Sequence, residues 1–126
     1  MKMKLLLGLG ILLLTIQSPA LSSPAFKHKE SSATVAIMSR LCSEMNFSAD
    51  QKSRITEIIN VFMEEKAKIL PLQETDRQAY AEKQASYFKI LKSKLSEVMM
   101  KTQLKQFLLL KPRVNETDNA LYGLFY

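Results

Sequence analysis

From residue 31 onward the apolar positions return every three or four residues, and no valine- or threonine-rich alternating run competes with that spacing. The pattern predicts an all-α domain: an elongated, hairpin-like arrangement of four helices. The first segment, about residues 32–45, carries Val35, Met38, Leu41, Cys42 and Met45 on one stripe, and Asn46-Phe47 breaks it. The second opens with Ser48-Ala49-Asp50-Gln51. A Ser N-cap there accepts from the amide of Gln51 while the Gln51 side chain reaches back to the amide of Ser48, and Asp50 adds negative charge at the positive end of the dipole. Ile55, Ile58, Ile59, Phe62, Met63, Ile69 and Leu70 line its inner face, with Glu64 and Lys68 as an outward i,i+4 pair. Pro71 removes an amide donor and disfavours helix at Leu70, so the chain turns or kinks there.

The third segment, about residues 75–99, is the longest. Tyr80, Gln84, Tyr87, Leu91, Leu95 and Val98 form one stripe, widened by Phe88 and Met99. At 1.5 Å per residue it would measure roughly 35–40 Å, more than a compact domain of this size needs, which points to an elongated shape or a dimer. A fourth helix, about 102–110, offers Leu104, Phe107 and Leu108 before Pro112 stops it. The stretch 113–126 is polar as far as Asn119 and then apolar in Ala-Leu-Tyr-Gly-Leu-Phe-Tyr. A frayed terminus is the default for such a tail, with docking on the core or on a partner as the alternative.

The first 25 residues follow a different logic. Met-Lys-Met-Lys, an apolar run over 5–16 and small residues at Ser18, Ala20, Ser22, Ser23 and Ala25 make the layout of a secretory signal peptide, cleaved between 20 and 25. The run is too short to span a bilayer, so no membrane span is expected in the mature chain. This divides the sequence into a signal (1–25), a helical domain (26–112) and a tail (113–126), and places the protein in a periplasm or outside the cell.

Composition narrows the chemistry. The formal charge is +6, falling to +4 once Lys2 and Lys4 leave with the signal, too mild an excess to argue for nucleic acid. Gly8 and Gly10 leave as well, so Gly123 is the one mature glycine and glycine-rich phosphate loops are absent. The single histidine, His28, sits in a Lys-rich stretch beside the cleavage region, which makes a Ser-His-Asp or Cys-His site a poor expectation. No catalytic residue and no cofactor are assigned, and no enzyme activity is expected. Cys42 is the only cysteine, which excludes an intramolecular disulfide. It is a buried small hydrophobe, an intermolecular disulfide partner or a soft metal ligand, burial being the usual fate of a free Cys. Met38, Cys42 and Met45 share one face at i, i+4 and i+7, a spacing that suits Cu(I) but is also what a buried stripe requires.

Phe47-Ser48-Ala49-Asp50-Gln51 and Met99-Met100-Lys101-Thr102-Gln103 stand at the starts of the second and fourth helices. With a signal peptide and four helices, this resembles the periplasmic Spy/CpxP family, whose hallmark is a twice-used Leu-Thr-x-x-Gln motif. Phe47 takes the Leu position, Ser48 the Thr position and Gln51 is kept; the second copy keeps Gln103, with Met99 and Met100 in place of Leu and Thr. The likeness covers residues 32–112. It implies a helical envelope-stress or metal-stress protein forming a cradle-shaped antiparallel dimer, and an ATP-independent, chaperone-like capture of unfolded or misassembled envelope proteins.

Under that resemblance the third helix becomes the candidate binding surface. Residues 89–113 hold Lys89, Lys92, Lys94, Lys101, Lys105, Lys111 and Arg113 against one acid, Glu97, whereas Glu57, Glu64, Glu65, Glu74, Asp76 and Glu82 lie earlier. Lys89, Lys92 and Lys94 would steer acidic segments, and Tyr87, Phe88 and Leu91 would supply apolar contact. The basic face could equally be a solvated one kept for solubility. The alternatives for the protein are a metal-responsive protein whose Met/Cys face acts on a partner, and a secreted helical structural or interaction protein without client activity.

Overall fold

The computed structural model describes residues 30–126; the signal-peptide expectation and His28 lie outside the described residues. Among the described residues every regular element is helical, which establishes the all-α class. Helix α1 (Ser32–Glu44) starts at Ser31, whose hydroxyl accepts from the Thr34 amide at 3.0 Å. Its inner face is rotated from the expected stripe: Thr34 and Ile37 are buried with Met38, Leu41 and Met45, while Val35 is 53% exposed. The cause is polar. The Thr34 hydroxyl donates to Asn60 Oδ1 at 3.0 Å, and the amide of Ser31 donates to the same oxygen at 3.1 Å. Burying Thr34 beside Asn60 turns the helix and sends Val35 to solvent.

Helix α2 (Ala49–Ile69) carries Ile55, Ile59, Phe62 and Ile69 inward, with Ile58 and Met63 half-buried; Leu70 is exposed. Lys68 pairs with Glu65 at 2.9 Å, one residue nearer than the expected Glu64 pair. The chain does turn at Pro71, but Leu70 keeps helical angles (φ −54°, ψ −39°) and a separate one-turn helix, α3 (Leu72–Thr75), fills the corner. The long helix therefore begins later than expected. Asp76 leaves the helical region (φ −159°) and its carboxylate accepts from the Ala79 amide at 3.1 Å, opening α4 (Arg77–Ser96). At 20 residues α4 is about 30 Å long.

α2 and α4 pack as an antiparallel hairpin, with α1 against α2. Their shared core includes Leu41, Ile55, Ile59, Leu91 and Leu95, each no more than 2% exposed, and each such aliphatic burial stabilises the fold by about 1.5–3 kcal/mol. Helix α5 (Lys101–Leu109) contributes Phe107, fully buried. The tail is docked on this core, not frayed as its composition suggested. After the bend at Pro112 the chain returns through exposed residues 113–118 to a last turn, α6 (Tyr122–Phe125), where Leu121 and Leu124 are fully buried. Phe125 lies between Phe88 and Phe107 at 5.1 and 5.4 Å between ring centroids. Tyr126 Oη donates to the Pro112 carbonyl at 2.8 Å, clipping the segment to its own start.

Candidate functional site

The capping residues singled out in the sequence form a clamp between two helix starts. Ser48 Oγ accepts from the Gln51 amide at 3.1 Å and Gln51 Oε1 accepts from the Ser48 amide at 3.0 Å, completing the capping box. Met100 has no hydroxyl to offer at the N-cap of α5, but Gln103 Oε1 accepts from the Met100 amide at 2.9 Å. The two glutamines also reach across. Gln51 Nε2 donates to Gln103 Oε1 at 2.8 Å and to the Val98 carbonyl at 3.0 Å, while Gln103 Nε2 donates to the Asn46 carbonyl at 2.7 Å. Each glutamine thus binds the carbonyl two residues before the other helix's N-cap. Phe47 is half-buried against the core beside this network.

The candidate metal residues are placed in packing roles. Met38 and Met45 are 6% and 5% exposed within the main core, and Cys42 packs half-buried against it. Among the described residues no group of three or more His, Cys, Asp or Glu is arranged to hold a metal ion.

The six candidate binding residues of α4 do not share one surface. Tyr87, Leu91 and Lys94 border a groove of about 330 Å³ between α2 and α4, facing Ile58, Val61 and Phe62. Leu91 is its floor at 2% exposure, whereas Val61 and Ile90 stand at its lip, 38% and 54% exposed. Glu57, Glu65 and Lys94 edge it, so its rim carries both signs rather than the purely basic one expected. Lys89 and Lys92 are exposed on α4 but are not among the groove's walls. Phe88 lies elsewhere, against Phe125 of the returning segment.

A second constellation joins two residues of the predicted stripe, Tyr80 and Gln84, to a lysine that the sequence pattern left out. Lys66, Tyr80 and Gln84 are 4%, 8% and 6% exposed, and all three donate to main-chain oxygens of residues 123–126. Lys66 Nζ reaches the Gly123 carbonyl at 2.6 Å and lies 5.9 Å from the centre of the Tyr80 ring. Desolvation pulls its pKa down to about 8, because burial disfavours the charged amine. The same cause raises that of the Tyr80 phenol. Tyr80 and Gln84 fall on the stripe by their spacing. Lys66 was not counted with the apolar face of its helix, although it stands four residues after Phe62 and three before Ile69 in the same register, because a lysine reads as solvated; its position on that face is the signal that could have found it.

Comparison with family models, with curated proteins and with solved structures returned no match. Among the described residues no helix is long and apolar enough to cross a membrane.

Proposed function

We propose that this chain is an ATP-independent, chaperone-like protein of the periplasm or the extracellular space that captures unfolded or misassembled envelope proteins, along the lines of the Spy/CpxP family it resembles. The observation that carries the reading is the α2/α4 groove, where Val61 and Ile90 stand exposed above an apolar floor with Lys94 at its edge. Such a groove takes apolar side chains of a non-native chain, and a charged rim raises the rate of encounter rather than the affinity. The N-terminal layout supports export, and a homodimer remains part of the proposal. With Met38 and Met45 committed to the core, the sulfur face lends no support to the metal-responsive alternative.

The test is suppression of client aggregation by light scattering, run beside a molecular-mass determination. Wild type at equimolar or lower ratio suppresses scattering, and Ile90→Asp, at an exposed position, weakens suppression several-fold while helix content is unchanged. Replacing Lys89, Lys92 and Lys94 with Gln slows association and flattens its salt dependence. Full suppression by Ile90→Asp would reject the groove as the client surface.

A further inference from the structure

Three buried polar side chains converge on one short stretch of backbone. Lys66, Tyr80 and Gln84 donate to the main-chain oxygens of Gly123, Tyr126 and Leu124 at 2.6, 2.8 and 3.1 Å. Contacts of this kind are blind to side-chain identity, since every residue has a carbonyl. Side-chain selection comes from the apolar walls, where Phe88 and Phe107 hold the Phe125 ring. Main-chain hydrogen bonds combined with side-chain pockets are the way peptide-binding clefts combine affinity with specificity.

The cleft is incompletely satisfied by the segment that fills it. Gln84 Oε1 is buried and, among the described residues, has no hydrogen-bond partner. A primary amide can donate to a carbonyl and accept from a neighbouring N–H together. Residues 121–126 form a turn whose Leu124 and Tyr126 amides bond internally, to Leu121 and Tyr122 oxygens at 3.0 Å each, so they offer Gln84 only a carbonyl. An extended chain presents both groups along one edge and fills both arms of the amide. Space for it exists: a cavity of about 480 Å³ runs past Gln84 over the small side chains Ala81 and Ala85. The occupant is also weakly self-supporting, because a four-residue helix has no stability of its own and its release is a local opening.

We propose that this cleft is a peptide-binding site occupied in cis by residues 121–126, and that its ligand in trans is an extended segment of non-native polypeptide bearing leucine or aromatic side chains. The proposal rests on the client-binding reading of the protein and adds to the α2/α4 groove a second surface, gated by displacement of the segment.

The probe is a fluorescein-labelled peptide copying residues 120–126, followed by anisotropy with the full chain. Leu124→Ala removes one anchor of the cis segment and raises peptide affinity at least tenfold with circular dichroism unchanged; adding Gln84→Met lowers it again several-fold. Unchanged affinity in a folded Leu124→Ala chain overturns the proposal. Should that variant fail to fold, hydrogen exchange on wild type decides. Leu124 and Tyr126 amides exchanging at least tenfold faster than that of Ile59 support a displaceable segment, and exchange only through global unfolding overturns it. A concentration-dependent dimer that trades these segments would assign the cleft to a second copy and overturn the peptide assignment. The two readings separate cleanly. Ile90→Asp tests client capture by light scattering and leaves peptide binding to the Leu124→Ala chain unaltered, so either can fail alone.

Discussion

Polar side chains tie the helices together at two places, and the two ties differ in how completely they are closed. At the starts of α2 and α5, Gln103 uses its oxygen for the Met100 amide and for Gln51 Nε2, and its nitrogen for the Asn46 carbonyl; Gln51 uses its oxygen for the Ser48 amide and its nitrogen for Gln103 Oε1 and the Val98 carbonyl. Under residues 121–126, Lys66 and Gln84 are buried more deeply than this pair, yet Lys66 is a desolvated cation held by a neutral carbonyl and Gln84 keeps an oxygen without a partner among the described residues. A closed network fixes register and leaves nothing for a ligand to satisfy. An open one carries a standing cost that a better partner would remove, which is why the second tie, and not the motif that stands out in the sequence, is the place to look for recognition.

Breaking the closed tie should give the largest effect. Gln103→Leu strands the Met100 amide, the Asn46 carbonyl and one arm of Gln51, and should cost about 3 kcal/mol in urea unfolding. The open tie is probed next, through pH. Lys66 titrates near 8 in the folded chain against 10.5 when unfolded. Between those values the unfolded state holds more protons, so stability should rise with pH across roughly 8 to 10.5, by on the order of 2 kcal/mol. Lys66→Met should remove that rise. The difference between the two pH profiles isolates Lys66 from the other lysines and from Tyr80, whose raised pKa acts in the opposite direction above about pH 10. An identical slope in both chains would place the charge in solvent.

Smaller effects sharpen the contrast. Ser48→Ala removes only the hydroxyl that accepts from the Gln51 amide and should lower stability by about 1 kcal/mol without touching client capture. Lost aggregation suppression at an unchanged melting temperature would give that motif a role beyond starting a helix. Gln84→Met should change stability by no more than about 0.5 kcal/mol, because the bond to the Leu124 carbonyl is given up together with an unpartnered oxygen. A cost as large as that of Gln103→Leu would mean that both ties are structural and would erase the comparison.

The all-α class, the capping box at Ser48, the turn at Pro71 and most of the α2/α4 core were legible in the chain itself. They depend on spacing and on contacts between residues close in sequence, which the sequence displays directly. Partners distant in sequence were not legible. Val35 and Thr34 are neighbours on a helix, and only the hydrogen bond from Thr34 to Asn60, 26 residues away, decides which of them is buried. Gln51 and Gln103 were each recognisable as the cap of its own helix, but that they bond to each other and to the carbonyl leading into the other helix required α2 and α5 to start side by side. Lys66 shares the register of Phe62 and Ile69 but by its charge reads as a surface lysine, and residues 121–126 read as any aromatic tail. Burial of both was decided by tertiary packing, because a four-residue turn has no local preference strong enough to hold it and takes its place only from the walls it meets.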